Sequence, residues 1–261
     1  QTPCRYYGEQ GRGEEVWDVS ETHRILESWV GDHEWCPISP VVRETLLRHH
    51  AEEIGPVRLS TEDWTNIIDL PRWHREGRRT PDGKVRIGRH SRDHVSKWPE
   101  TRELLEAAYP ASGSREVHVL GGARTPQRLL GGLPNNWVVR GYDSVPVRDF
   151  LHGIDVYVYY TSTDLLEAFG RAPLEAMAAG VPTILPPRFE RVFGEAGLYA
   201  EPEGVRAWVD ALADDPVGYE RQVEKAWGVL RERFSHESHL ERLRRNGVRT
   251  SVIADSYQPN T

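Results

Sequence analysis

The sequence predicts an α/β fold with a doubly wound parallel sheet. After residue 81, short apolar segments alternate with helix-length segments, which is the pattern of repeated β-α units. One segment, residues 154–160, is almost continuously apolar, as expected of a strand covered on both faces. The 261 residues are enough for one to two domains with a sizeable core.

The N-terminal part of the chain predicts fewer regular elements. A helix is expected over 21–30, a short apolar run occupies 35–38, and a second helix is expected over 40–50. Ser39 suits the N-cap of the second helix and Pro40 suits its first turn. The region that follows contains three prolines and an arginine-rich run, so it predicts a connector and a domain boundary at 80–81.

Beyond this boundary the alternation predicts strands and helices in turn. Strands are expected at 84–88, 117–120, 137–140, 154–159, 183–185 and 198–200. Helices are expected at 98–108, 125–130, 146–152, 173–179 and 205–213. Two charged segments, 217–233 and 235–249, predict surface helices ahead of a polar tail at 255–261.

Composition excludes several classes of protein. The net charge of −7, from 33 basic and 40 acidic residues, argues against a dedicated duplex-binding protein. Cys4 and Cys36 are too few for a disulfide framework or a four-ligand zinc site. No run of about 18 apolar residues that would cross a membrane is present. The chain begins with Gln1 and has its single methionine at Met177, so we expect it to be part of a longer polypeptide.

The segment after the 154–160 strand carries the strongest functional signal, and it reads Glu167-Ala-Phe-Gly-Arg-Ala-Pro-Leu-Glu175. It lies at the carboxyl end of a parallel strand, where open α/β sheets bind ligands. Gly170 lets the backbone approach a ligand, and the free N–H groups of a helix starting here suit a phosphate. Carboxylates beside a phosphate need hydroxyl partners, which a sugar and a ribose supply. Alternatively, Glu167 and Glu175 are ordinary solvated acids at a helix end.

A second candidate element lies at the end of the 84–88 strand. Gly88 and Arg89 close that strand, and Lys97 follows a polar loop at the expected start of a helix. An arginine and a lysine held there would present two positive charges to a diphosphate leaving group and stabilise the charge that develops on departure. The alternative is a solvated basic loop.

The string from Glu167 to Pro182 resembles the donor-site motif of retaining glycosyltransferases of the GT-B fold, particularly glycosyltransferase family 4. In that family two glutamates enclose a Phe-Gly segment, and the motif continues as Leu-Glu-Ala-Met-Ala-Ala-Gly-Val-Pro, which is 174–182 here. The resemblance covers about 84–213 and implies a Rossmann-like donor-binding domain. It also implies transfer of a sugar from a nucleotide-diphosphate sugar to an acceptor hydroxyl with retention, in polysaccharide, glycolipid or glycan synthesis.

The resemblance implies a role for each charged side chain. Glu175 would bind the ribose hydroxyls and Glu167 the hydroxyls of the transferred sugar. Arg89 and Lys97 would act on the diphosphate. Trp98 departs from the family pattern, which commonly has glycine after the lysine.

Other donor-site positions follow from the same resemblance, most of them through backbone groups. Some would face the sugar, some the diphosphate, and the strand ends 117–122 and 137–141 would cradle the base. The positions that face the sugar are Phe169, Gly170 and Arg171. The positions near the diphosphate are Pro173 and Leu174. Gly88 and Gly141 are the remaining donor-binding positions that the resemblance implies.

Under this resemblance the chain has three parts. Residues 1–80 would be a remnant of the N-terminal acceptor-side domain, in which Asn66-Ile-Ile-Asp69 is similar to the family's hinge sequence. Residues 81–215 would be the donor-binding domain. Residues 216–261 would be C-terminal helices that cross back to the N-terminal part, which is itself incomplete.

The resemblance implies no cofactor and no metal. The histidines lack the His-Glu-x-x-His spacing and there is no Asp-x-Asp sequence, so Arg89, Lys97 and helix amides would replace a metal. The implied partners are a nucleotide sugar donor and a carbohydrate, lipid-linked or protein acceptor, without nucleic acid. The implied location is cytoplasmic, either free or at the inner face of a membrane, with any peripheral membrane association carried by upstream sequence.

Two alternatives remain open at this point. One is a nucleotide-sugar-binding module without turnover. The other is a sugar-nucleotide epimerase or a phosphorylase on the same fold, although the chain lacks the lysine-rich surroundings that a phosphorylase requires for pyridoxal.

Overall fold

The computed structural model describes residues 17–75, 77–79 and 82–248. Cys4, the boundary predicted at 80–81 and the polar tail predicted at 255–261 lie outside the described residues. In the N-terminal part, a small two-stranded parallel sheet accompanies three helices. Its elements are α1 (Val19–Val30), β1 (Glu34–Trp35), α2 (Pro40–His49), β2 (Arg58–Leu59) and α3 (Leu70–Trp73).

The two long N-terminal helices confirm the sequence prediction, and their N-termini show why. Asp18 caps α1, because its side chain accepts a hydrogen bond from the N–H of Glu21 at 2.6 Å. Ser39 caps α2 by accepting from the N–H of Val42 at 3.2 Å. Ser39 Oγ also donates to the carbonyl of Ala168, so the start of α2 is tied to the Glu167–Glu175 segment.

The main sheet has six strands, all parallel. They are β3 (Val85–His90), β4 (Arg115–Leu120), β5 (Trp137–Arg140), β6 (Val156–Val158), β7 (Thr183–Leu185) and β8 (Leu198–Tyr199). Their order across the sheet is β5-β4-β3-β6-β7-β8, so the chain begins in the middle, builds one half and returns to build the other. This arrangement confirms the doubly wound α/β prediction, and every predicted strand is present.

Helices connect and cover these strands. They are α4 (Arg102–Ala108), α5 (Arg124–Leu130), α6 (Val147–His152), α7 (Arg171–Ala178), α8 (Glu190–Phe193), α9 (Val205–Asp214), α10 (Pro216–Phe234) and α11 (His236–Arg245). The helix predicted over 98–108 begins only at Arg102, because Thr101 caps it and accepts from the N–H of Leu104 at 3.3 Å. Lys97 therefore ends a short 3-10 turn instead of opening the helix.

The sheet is buried on both faces, as the apolar run at 154–160 predicts. Side chains alternate along β6, so Val156 and Val158 pack into one apolar cluster with Ile87. Tyr157 points to the opposite cluster, where α7 contributes Leu174. Full burial of the central strands keeps their carboxyl ends at one rigid edge.

The last two helices pack against the N-terminal part. The N–H of Ile68 donates to the carbonyl of Phe234 at 2.8 Å, at the end of α10. Arg242 on α11 donates to Thr65 Oγ1 at 3.2 Å, and Arg245 pairs with Glu62 at 2.8 Å. Across the described ranges, no helix combines the length and the apolar character needed to cross a membrane.

Candidate functional site

The order of the strands reverses between β3 and β6, and a crevice lies at this point of the sheet. The two strands are neighbours, yet the chain leaves β3 toward one half of the sheet and leaves β6 toward the other. Loops therefore diverge at their carboxyl ends and leave a crevice, which is where open α/β sheets bind ligands. His90 ends β3, Tyr159 directly follows β6, and the Glu167–Glu175 segment comes after the next loop.

Glu167 is held by two donors at this edge. Lys97 Nζ lies 2.6 Å from Glu167 Oε2, and the Tyr159 hydroxyl donates to the same oxygen at 2.9 Å. Lys97 Nζ also donates to the Tyr159 hydroxyl at 3.4 Å. The Lys97 and Glu167 side chains are only 16% and 19% exposed, so solvent screens this ion pair weakly. The structure thus brings together two residues that the sequence predicted separately.

Tyr159 contributes a neutral phenol to this cluster. Burial raises its pKa well above the ordinary value, and the neighbouring Glu167 carboxylate raises it further. Its hydroxyl therefore keeps its proton at neutral pH and serves as a hydrogen-bond donor. From the sequence, Tyr159 is expected only as part of a strand, and its place at the end of a central strand is the signal that points to the site.

Glu175 is the second carboxylate, located on α7. Its Oε2 lies 3.0 Å from His90 Nε2, and its Oε1 accepts from Arg171 Nε at 3.0 Å. Burial opposes ionisation of this carboxyl, but the hydrogen bonds from His90 and Arg171 outweigh burial and lower its pKa. Glu175 is therefore ionised at neutral pH and is a strong hydrogen-bond acceptor. Neither contact is predicted from the sequence, which points to Arg171 only as a position facing the sugar and not to His90.

Glycine is required where α7 begins. Gly170 has φ +95° and a Cβ there would lie 2.9 Å from the ring of Phe189, so both backbone geometry and space exclude a side chain. Next to it, the ring of Phe169 packs against Phe193 and Phe234 with centroids 5.6 and 5.7 Å away. Of Phe169, only the backbone is therefore available to a ligand.

The amides at the start of α7 differ from the expected set. The N–H of Leu174 already donates to the carbonyl of Gly170 at 3.2 Å, and Pro173 has no N–H. The amides of the first turn without an acceptor inside the helix are therefore those of Arg171 and Ala172. The Leu174 amide is therefore not available to a diphosphate in this structure, and which backbone groups bind one stays a prediction.

Arg89 does not lie on the open edge of the crevice. It is fully buried, and its guanidinium stands 3.8 Å over the ring of Trp98. Its four hydrogen bonds go to protein oxygens, which are Tyr109 Oη at 2.7 Å, the Tyr160 carbonyl at 3.1 Å, Ser91 Oγ at 3.0 Å and the Lys97 carbonyl at 2.6 Å. The expectation that Arg89 faces a diphosphate therefore does not match its position, because Trp98 covers it. Arg89 instead holds the backbone of Lys97.

Two glycines of the expected set belong to strands of the main sheet, Gly88 within β3 and Gly141 directly after β5. Gly88 is inside β3, where a Cβ would lie 2.3 Å from Ile154 Cδ1, so its packing explains the glycine without a ligand. Gly141 follows β5, two strands away from β3, and is exposed. A contact between Gly141 and a bound base stays a prediction.

A cavity of about 310 Å³ opens beside Glu167. One wall is the face of α2 that carries Glu44 and Arg48. The other is formed by side chains of two segments, which are Thr163, Leu166, Glu167, Arg188, Phe189 and Arg191. The site is therefore bordered by the N-terminal part as well as by the main sheet. Within the part of the chain that the structure describes, no group of three His, Cys, Asp or Glu side chains is arranged to hold a metal ion.

Comparison with known proteins agrees with this geometry. Residues 87–214, slightly less than half of the chain, match the family model described as Glycosyl transferases group 1. The matched range contains both carboxylates, Lys97 and Tyr159. A search of curated proteins finds no match.

Solved structures share the fold at low sequence identity. HepE of Anabaena in complex with UDP and glucose is 14% identical with a TM-score of 0.63, over 87% of this chain and 66% of that one. A glycosyltransferase from Rickettsia africae is 16% identical with a TM-score of 0.66, over 88% of this chain and 67% of that one. A mutant of S. aureus TarM in complex with Fondaparinux, alpha-GlcNAc-glycerol and UDP is 16% identical with a TM-score of 0.63. The match covers 92% of this chain and 49% of that one.

The chain thus spans about half the length of TarM. By fold it is similar to GT-B glycosyltransferases, and over residues 87–214 its sequence matches the group 1 family model.

Proposed function

We propose that this chain is the donor-binding part of a retaining glycosyltransferase of group 1, which uses a nucleotide-diphosphate sugar. The observation that carries this proposal is the pairing of Glu167 with Lys97 and Tyr159 at the switch point of the sheet, with Glu175 on the adjoining helix. Two ionisable carboxylates beside a lysine and free helix amides suit a ligand that combines hydroxyl groups with a diphosphate.

The donor would be held from both ends. Ionised Glu175 accepts hydrogen bonds from the two ribose hydroxyls. The amides of Arg171 and Ala172 bind the diphosphate at the start of α7, where the helix dipole favours an anion. Glu167 accepts from hydroxyls of the sugar that is transferred.

Lys97 would change partners when the donor binds. In the ligand-free arrangement it neutralises Glu167 at 2.6 Å. A diphosphate attracts the ammonium more strongly than one carboxylate does, so Lys97 moves toward the phosphate and leaves Glu167 for the sugar hydroxyls. During transfer, Lys97 stabilises the negative charge that develops on the leaving diphosphate.

Retention would follow from attack on one face of the sugar. The bond between the anomeric carbon and the diphosphate oxygen breaks, the acceptor oxygen bonds to the same face, and its proton passes to the departing phosphate. In this scheme Glu167 and Glu175 bind hydroxyl groups, and neither is needed as a covalent nucleophile because the acceptor oxygen attacks the anomeric carbon directly. The acceptor is a carbohydrate, a lipid-linked glycan or a protein.

A panel of nucleotide sugars tests this proposal. Thermal shift measures donor binding, and release of nucleoside diphosphate measures turnover. We expect stabilisation by one donor, a loss of stabilisation in Glu175→Ala, and no loss in Glu232→Ala, which removes an exposed glutamate from α10. EDTA should leave the stabilisation unchanged, because protein cations and amides hold the diphosphate. If no nucleotide or nucleotide sugar stabilises the protein, the proposal is refuted.

The same panel separates the alternatives. A second candidate is a module that binds a nucleotide sugar without turnover. Binding without release of nucleoside diphosphate indicates that module. Conversion of the donor into another nucleotide sugar without release indicates an epimerase, and the anomeric configuration of a transferred sugar, measured by NMR, decides between retention and inversion.

A further inference from the structure

We propose that the cavity beside Glu167 receives an acceptor that carries an oxyanion, a phosphate or a carboxylate, close to the hydroxyl that is glycosylated. The identification of this cavity as the acceptor side rests on the proposed function. Glu167 lines the cavity and is also the carboxylate that would hold the transferred sugar. A group bound in the cavity therefore lies next to the sugar.

The cavity has a defined shape because its two walls are joined. Ser39 at the start of α2 donates to the carbonyl of Ala168, directly after Glu167. On the other side, Arg191 on α8 forms an ion pair with Glu44 on α2 at 2.5 Å. These contacts fix α2 against the loops that follow β6 and β7.

The lining carries more positive than negative charge. Three arginines line it, Arg48, Arg188 and Arg191, and only Arg191 forms an ion pair with a carboxylate of the described residues. Glu44 pairs with Arg191, and Glu167 pairs with Lys97 until a donor draws Lys97 to the diphosphate, so at most one lining carboxylate opposes the other arginines. Two guanidinium groups are therefore left without a salt-bridge partner.

These two arginines face the same space from opposite walls. Arg188 donates to the neutral hydroxyl of Thr161 at 2.8 Å, and Glu100 and Glu167 act on it only over a longer distance. Arg48 is exposed, and its guanidinium has no hydrogen bond or ion pair with the described residues. Guanidinium groups bind phosphate and carboxylate through paired N–H donors.

A neutral sugar would find fewer partners here. Among the described residues that line the cavity there is no asparagine, glutamine, tryptophan or tyrosine, and the ring of Phe189 is buried against Phe193 and Tyr159. Besides the charged side chains, the polar lining consists of His49 and of Thr45 and Thr163, whose hydroxyls already donate to Val42 and Glu100. The charge of the lining therefore favours an anionic acceptor over an uncharged one.

Three probes of one skeleton test this inference, namely glycerol, sn-glycerol 3-phosphate and glycerate. Binding is measured by calorimetry with the protein saturated with UDP, so that a phosphate does not enter the donor site. Because a hydrogen bond to a charged group contributes about 1.5–3 kcal/mol, we expect a charged probe to bind at least about tenfold more tightly than glycerol. Whether phosphate or carboxylate binds better identifies the oxyanion.

Variants locate the binding. Arg48→Gln should remove most of the preference for the charged probe, and Arg48→Gln combined with Arg188→Gln should abolish it. Arg221→Gln, an exposed arginine of α10 outside the cavity lining, should not change it. Arg48 is exposed, so its single variant is expected to fold normally.

These titrations distinguish a failure of the anionic-acceptor inference from a failure of the proposed donor site. Equal binding of glycerol and the charged probes, or a preference that survives the double variant, overturns the inference even when UDP binds normally. A protein that binds neither UDP nor any other nucleoside diphosphate contradicts the proposed donor site. The same titrations without UDP then test the cavity alone.

Discussion

Replacing Arg89 by lysine distinguishes a structural cation from a ligand-binding one. The substitution keeps the positive charge but removes the planar group that bonds Tyr109, Tyr160, Ser91 and the Lys97 carbonyl. A lysine at this position retains at most two of these bonds, because a single nitrogen replaces two that point in different directions. It also loses the flat contact with the ring of Trp98.

The expected loss of stability follows from the bonds that disappear. A hydrogen bond from a charged donor contributes about 1.5–3 kcal/mol, so losing two of them costs about 3–6 kcal/mol. This is a large part of the roughly 5–15 kcal/mol that separates a folded domain from its unfolded state. We therefore expect Arg89→Lys to unfold at a much lower urea concentration with an unchanged m-value.

The assay combines urea unfolding with UDP titration of the protein that remains folded. Arg92→Lys is the matched control, because Arg92 is exposed in the same loop and its substitution should change neither quantity. Wild-type stability in Arg89→Lys together with a large loss of UDP affinity would refute the reasoning. It would mean that Arg89 reaches the diphosphate, as the family resemblance implies.

Three other changes test the packing and the carboxylates. Tyr159→Phe removes one of the two hydrogen bonds to Glu167 Oε2. The kcat for sugar transfer should therefore fall about tenfold while the KM for the donor changes little. An equal change in kcat and KM would argue against a role of Tyr159 in positioning Glu167. Gly88→Ala places a Cβ 2.3 Å from Ile154 Cδ1, which should cost about 1–3 kcal/mol in thermal unfolding and be partly rescued by Ile154→Val. The folded-state pKa of Glu175 is lowered from 4.5, so its stabilising contribution is present above that pH and is lost as the pH falls. Glu175→Gln should therefore reduce the pH dependence of the free energy of unfolding between about pH 5 and pH 3. An unchanged slope in that variant would show that other groups determine it.

The regular elements could be predicted because their signals are local. Ser39 and Pro40 mark the start of α2 within a few residues, and the apolar segments of the main sheet are short runs between turn residues. Errors arose where two signals compete. The helix predicted from Trp98 begins at Arg102 because the indole is fully buried over Arg89 and Thr101 supplies the cap.

The candidate site could be predicted only in part. The string from Glu167 to Glu175 is contiguous, so its carboxylates and the glycine between them are visible in one dimension. His90, Tyr159 and Arg48 come from other elements, and their relation to that string depends on strand order and helix packing. Sequence spacing carries no information about which of them meet.

The fold class, the strands and a carboxylate motif can be predicted from the amino-acid sequence, because periodicity, capping and turn chemistry act between residues close along the chain. Which charges meet depends on how the elements pack. The tertiary structure pairs Lys97 with Glu167 and His90 with Glu175, and it covers Arg89 with Trp98. It also places α2 across a cationic cavity from Arg188. Electrostatic partners are selected by distance in space and by burial, and the order of the parallel strands sets both.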